Sequence, residues 1–130
     1  MNAAICPCGS GLNYDLCCGK FHNGVFPATA EVLMRSRFSA YVMHELEYLY
    51  ETTHPDSRTH DLRKAIAGWA AEARFVKLEI IKTARGQSGD KTGKVEFTAF
   101  YLQNGQMHQH HEVSIFKKYK SRWYYVEGER

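Results

Sequence analysis

Two rhythms of apolar residues divide the chain near Arg74. Upstream, Met34, Phe38, Tyr41 and Val42 fall at i, i+4, i+7 and i+8, the stripe of one amphipathic helix face. This helix is expected from Ala28, with Thr29 as N-cap and Glu31 in the first turn, where a carboxylate suits the helix dipole. Continued unchanged, it would put Glu45 in the centre of the stripe, so a break is expected near His44 and Glu45, followed by a short helix carrying Leu46, Tyr48 and Leu49. His54-Pro55-Asp56-Ser57 reads as a turn, and Leu62, Ile66 and Trp69 mark a third helix with Thr59 as candidate cap.

Downstream of Arg74 the pattern is that of strands. Residues 75–83 are rich in Val, Ile and Leu, and a glycine-rich loop spans 86–93. Segments 94–103 and 106–118 flank Asn104-Gly105, a strong two-residue hairpin signal, and a last strand covers 122–127. Helices followed by a four-stranded antiparallel meander make an α+β fold with segregated layers. The two-residue turn sets Leu102 against Met107 and Phe97 against Glu112. One face then carries Val95, Phe97, Ala99, Tyr101, His108, His110, Glu112, Ser114 and Phe116, and a tight second turn adds Trp123 and Tyr125. The opposite face holds Phe100, Leu102, Met107, Val113, Ile115 and Val126 beside Glu96, Thr98 and His111. It is partly apolar and suits a monomer or a homodimer.

All four cysteines lie within the pattern C-x-C-x8-C-C, at Cys6, Cys8, Cys17 and Cys18. The first residues lack the basic and apolar regions of a secretory signal, which points to the cytoplasm, where disulfides are disfavoured. Two short thiol pairs joined by a loop suit one tetrahedral, structural zinc ion with no open position for chemistry. Gly9, Ser10 and Gly11 let the chain reverse around the metal, and Gly19 is expected to end a short helical turn carrying the second pair. His22, four residues after Cys18, is an alternative fourth ligand.

No segment is apolar enough to span a bilayer. The formal charge of +3 falls to roughly +1 when four thiolates surround a divalent ion, and the basic residues are spread along the chain, so nucleic acid is not an expected partner. A redox centre would need C-x-x-C, and the 86–93 loop lacks the lysine and helix start of a phosphate-binding loop.

The run from Cys6-Pro7-Cys8-Gly9-Ser10-Gly11 through Tyr14 to Cys17-Cys18-Gly19 resembles the SEC-C motif, a zinc knuckle of the SecA translocation ATPase and of many other bacterial proteins. The resemblance implies zinc binding and contact with a protein partner. Its last ligand pair is Cys-Cys or Cys-His, which favours Cys18 over His22. Leu33-Met34-Arg35-Ser36-Arg37-Phe38, Thr53-His54-Pro55, His111-Glu112-Val113-Ser114 and Arg122-Trp123-Tyr124-Tyr125 together resemble the YchJ-like family. That resemblance implies a knuckle at 1–24 and, at 25–130, a domain similar to nuclear transport factor 2. In such a cystatin-like cone, helices close over a curved four-stranded sheet.

Two functional expectations follow. The first is a zinc-binding adaptor whose knuckle docks a protein partner. The second is a cone that holds a small molecule, with Arg37, His110, Glu112, Ser114, Trp123 and Tyr125 as candidate pocket residues. His110 and Glu112 at alternate strand positions form a workable acid–base pair, yet no nucleophile or loop motif accompanies them, so the chain leans away from catalysis. Arg37 is expected near the cone mouth with Glu112 as ion-pair partner.

Overall fold

A computed structural model describes residues 5–129. The four helices are α1 (Cys18–His22), α2 (Ala30–Met43), α3 (Leu46–Glu51) and α4 (Leu62–Glu72). They precede β1 (Arg74–Arg85), β2 (Thr92–Gln103), β3 (Gln106–Tyr119) and β4 (Arg122–Gly128), which form one antiparallel sheet in chain order. The expected α+β fold is the observed one. No helix among the described residues is long and apolar enough to cross a membrane.

Local chemistry sets the helix ends. Thr29 Oγ1 accepts the Val32 N–H at 3.2 Å, the N-cap expected of it. His44 adopts left-handed φ of 57°, and Glu45 N–H closes on the Ala40 carbonyl at 2.8 Å, so α2 stops where its stripe would have met Glu45. The cap of α4 differs from expectation. Asp61 occupies that position, and Thr59 donates its hydroxyl to the Asp61 carboxylate at 3.1 Å instead of taking a helix N–H.

The α2 stripe packs on the concave sheet face. Leu33, Met34 and Phe38 meet Leu78, Val95, Phe97, Ala99, Phe116 and Trp123 in one buried cluster. Each large side chain so buried contributes roughly 1.5–3 kcal/mol. Ala40, Leu49 and Ile66 form a second cluster that joins α2, α3 and α4.

The registers of both hairpins follow the expected parity, with Leu102 opposite Met107, Phe97 opposite Glu112 and Lys118 opposite Trp123. Beyond Phe116 and Tyr125 the third pairing shifts by one residue, so Ile115 meets Glu127. Val126 is the extra residue of this bulge and turns toward the cone, not onto the outer face that strict alternation assigned to it.

Candidate functional site

Two groups of chemistry-bearing side chains stand at α2, one on each side. On the outer side is the cysteine knuckle. Cys6 N–H bonds the Leu12 carbonyl at 2.8 Å, which folds the first thiol pair back over the loop, and Cys17 and Cys18 follow the 3₁₀ turn Tyr14–Leu16. Gly19 does not end the helical turn but lies inside α1. A side chain there would put its Cβ 2.8 Å from the Tyr14 carbonyl oxygen and 2.9 Å from the Tyr14 ring, so the close approach requires glycine.

The four thiol sulfurs lie within 4.8 Å of one another, with Cys8 and Cys17 3.6 Å apart. A thiolate-bound tetrahedral cation at about 2.3 Å from each sulfur needs edges of roughly 3.8 Å, so the cluster could hold a metal ion. Its proton chemistry agrees. Hydrogen bonding from Cys18, helped by Ser10 and Cys6, draws the Cys8 thiol down to about 4. Cys18 is pushed up by that same bond and by burial, and Cys17 by burial. One negative charge forms readily and the next must sit beside it, a repulsion that a bound cation would relieve.

His22 is not a ligand in this arrangement. Tyr14 donates its hydroxyl to His22 Nδ1 at 2.5 Å, and His22 Nε2 donates to the Ser36 carbonyl of α2 at 2.8 Å. Both ring nitrogens are therefore occupied. Arg35 reaches back from α2 to the Cys8 carbonyl at 2.7 Å, and Cys6 Sγ lies 3.4 Å from Ser39 Oγ. The knuckle is thus fastened to α2 through Arg35, Ser36 and Ser39, while Met34, Arg37 and Phe38 of the same helix line the cone.

Inside the cone a cavity of about 290 Å³ opens between α2, α4 and the sheet. Met34, Phe38, Ile66, Trp69, Phe75 and Phe97 give it apolar walls, and Arg37, His110, Glu112, Ser114 and Tyr125 are its polar groups. Alternation along β3 sets His110, Glu112 and Ser114 on one face. Glu112 collects all their hydrogen bonds. His110 Nε2 donates to Oε1 at 3.0 Å, while Ser114 at 2.5 Å and Tyr125 at 3.1 Å donate to Oε2.

Burial pushes the Glu112 carboxyl up, but these three donors outweigh it and hold the group below its usual 4.5. The same bond raises His110 above its usual 6.5, against desolvation. Burial pushes Tyr125 up, so it stays protonated and donates. Gly128 faces this group from β4, opposite Ser114. A Cβ there would lie 2.9 Å from the Glu112 carboxyl carbon, so the backbone leaves room for the carboxylate.

Arg37 is 8% exposed. Its Nη1 donates to the Leu49 carbonyl at 2.9 Å and to the hydroxyls of Thr52 and Thr53 at 2.7 and 3.4 Å. The expected ion pair with Glu112 is not formed, because Tyr125 stands between them with its ring 4.5 Å from the guanidinium and its hydroxyl on the carboxylate. Trp123 also departs from its candidate role. It pairs with Lys118, nearer the hairpin turn, and its indole N–H donates to the Ala28 carbonyl at 3.1 Å, which places it in the core under the start of α2. Thr52, Thr53 and Gly128 carry no signal as isolated residues in the sequence, and pairing across elements reveals them.

Comparison with known proteins follows the same division. A family model described as the SEC-C motif matches residues 4–20, and one described as YchJ, middle NTF2-like domain, matches residues 29–128. A UPF0225 protein of Geobacter sulfurreducens is 42% identical over 125 residues, covering 95% of this chain and 78% of its own length. A UPF0225 protein of Bordetella pertussis is 42% identical over 129 residues, covering 97% and 92%. The solution structure of a SEC-C motif containing protein from Rhodopseudomonas palustris superimposes with a TM-score of 0.86 at 38% identity, over 97% of this chain and 98% of that one. A crystal structure of a second such protein, from Psychrobacter arcticus, gives 0.80 at 32% identity, over 95% and 80%. With a SEC-C motif at its start and an NTF2-like domain over nearly all the rest, the chain belongs to the YchJ family.

Proposed function

We propose that this protein is a zinc-stabilised small-molecule-binding protein, in which the cone is the functional site and the knuckle braces the helix that forms its wall. The observation that carries the reading is the cavity itself. A void of about 290 Å³ with apolar walls and a cluster of converging polar groups has the make-up of a ligand site, near the lower end of the usual size range of about 300–1,000 Å³.

Zinc is the metal that four thiolates in a closed tetrahedron suit best, and a closed set leaves no position for Lewis-acid chemistry. Its role is mechanical. Arg35 and His22 fasten the knuckle to α2 on the side away from the cavity, and Arg37 and Phe38 of that helix line the cavity. His110 and Glu112 supply a proton-holding pair at the cavity wall, and the Ser114 hydroxyl beside them is fully buried and donates to Glu112 with no bond to His110, so it is not set as a nucleophile and binding is the better supported activity.

The reading is tested by titrating methyl-labelled protein with a panel of small organic acids and their amides, watched by NMR. Saturable shifts at Met34, Leu62 and Ile66, which line the cavity, are expected. Shifts confined to the knuckle, or none, contradict it.

A second reading, the knuckle as a docking surface for a protein partner, is favoured by the exposure of Ile5, Leu12 and Leu16, each more than half accessible. Leu12→Asp with Leu16→Asp leaves all four cysteines in place. Partner recovery that the double variant does not reduce contradicts docking through this patch.

A further inference from the structure

The charges at the cavity wall are unpaired with each other in a way that selects a ligand. Arg37 is more than nine-tenths buried, yet among the described residues no carboxylate lies within ion-pair distance of it. Its three hydrogen bonds go to a carbonyl and two hydroxyls, all neutral, and all leave from Nη1. Among the described residues Nε and Nη2 have no hydrogen-bond partner, and no side-chain nitrogen or oxygen is both sealed from solvent and unpartnered. Neither nitrogen is therefore sealed off, and Arg37 lines the cavity.

A buried cation without a directly paired counter-ion is costly, because water no longer solvates it and Glu112 acts on it only across Tyr125. Burial accordingly pulls the guanidinium down from its ordinary range. Glu112, the only carboxylate lining the cavity among the described residues, is already engaged by three donors, with Tyr125 interposed. A planar fork with one free edge of two parallel donors, Nε–H and Nη2–H, matches a carboxylate, which can accept both. The wall beside it is apolar, with Phe38, Ile66 and Trp69 facing the same space.

Resting on the small-molecule reading above, we propose that the cone binds a small organic monocarboxylate, its carboxylate on Arg37 Nε and Nη2 and its apolar body against Phe38, Ile66 and Trp69. Glu112 restricts the choice further. A second carboxylate at the far wall would face the Glu112 anion, so dicarboxylates are disfavoured, whereas a hydroxyl or amine there could donate to Glu112 Oε1, which accepts only from His110, while Ser114 and Tyr125 share Oε2.

The experiment compares matched pairs in the unmodified protein by NMR titration: benzoate with benzamide, phenylacetate with phenylacetamide, and hexanoate with hexanamide, plus succinate as a dicarboxylate. The acids are expected to bind at least tenfold more tightly than their amides, and succinate more weakly than hexanoate. Arg37→Met should bring the acid-to-amide ratio close to one, while Arg37→Lys keeps a preference reduced several-fold. Because Arg37 also ties α2 to α3, the ratio in the unmodified chain is decisive whether or not the variants fold. Acids and amides binding equally at the cavity methyls overturn the carboxylate assignment and leave the small-molecule reading standing. No cavity shift with any probe overturns both.

Discussion

Arg37 rests on the face of Tyr125, its guanidinium carbon 4.5 Å from the ring centroid. The hydroxyl of the same tyrosine donates to Glu112 at 3.1 Å. One side chain thus keeps a buried cation and a buried anion apart while bonding to both, which leaves Arg37 available to something else.

Replacing Tyr125 by Phe keeps the ring beneath Arg37 and removes one of three donors to Glu112. A hydrogen bond to a charged group is worth about 1.5–3 kcal/mol, so urea denaturation should show a loss in that range. The Glu112 carboxyl should also titrate at higher pH, read by carboxyl NMR. An unchanged Glu112 titration would mean that the hydroxyl is not holding the carboxylate.

Gly128→Ala tests the space reserved for that carboxylate. Its Cβ would lie 2.9 Å from Glu112 Cδ and 3.1 Å from Oε1. Overpacking of this kind costs typically about 1–3 kcal/mol. The variant should melt at lower temperature and shift the His110 ring resonances, whereas a neutral substitution would show that Glu112 has another place to go.

The pH dependence has two arms of opposite sign. Glu112 is depressed below its usual 4.5, so its contribution to stability is present above that value and lost as pH falls through the folded pKa. His110 is raised above its usual 6.5, so its contribution is full below that value and lost as pH rises through the folded pKa. The stability difference between the native chain and Glu112→Gln should be greatest between pH 4.5 and 6.5 and shrink on both sides. The alkaline arm should be the shallower, since the His110 side chain is 41% exposed and solvent screens it. Denaturation curves across pH 3 to 9 that give one constant difference would contradict the assignment.

At the knuckle, Cys8→Ser should abolish metal binding, whereas His22→Phe should keep one metal ion per chain. The histidine change removes bonds to Tyr14 and to the Ser36 carbonyl and should cost about 1–3 kcal/mol. Elemental analysis beside thermal melting checks both, and metal loss in His22→Phe would return the histidine to the ligand set.

Much of this was legible in the chain because it is periodic or local. The α2 stripe, the break at His44, the Asn104-Gly105 hairpin and the faces of β2 and β3 follow from spacings of 3.6 and 2 and from one turn type. The cysteine group was legible because its thiols lie close in sequence. What escaped depends on contacts between elements far apart in the chain. Val126 turned inward because a bulge broke the alternation, and Trp123 left the pocket because its hairpin position lies under Ala28. Arg37 found Leu49, Thr52 and Thr53 because the α2–α3 break folds α3 back beside it. His22 carried a ligand's spacing, and only packing against Ser36 on α2 reveals its structural use.

The claim that joins both halves of the molecule is that the knuckle braces the wall of a binding cone. The most direct measurement is the phenylacetate titration of methyl-labelled protein in three states: zinc-loaded, stripped by chelation, and reloaded. We predict one zinc per chain, saturable shifts at Met34, Leu62 and Ile66 in the loaded protein, their loss on stripping, and their return with zinc. Equal binding with and without the metal, or shifts that never reach the cavity residues, would contradict it.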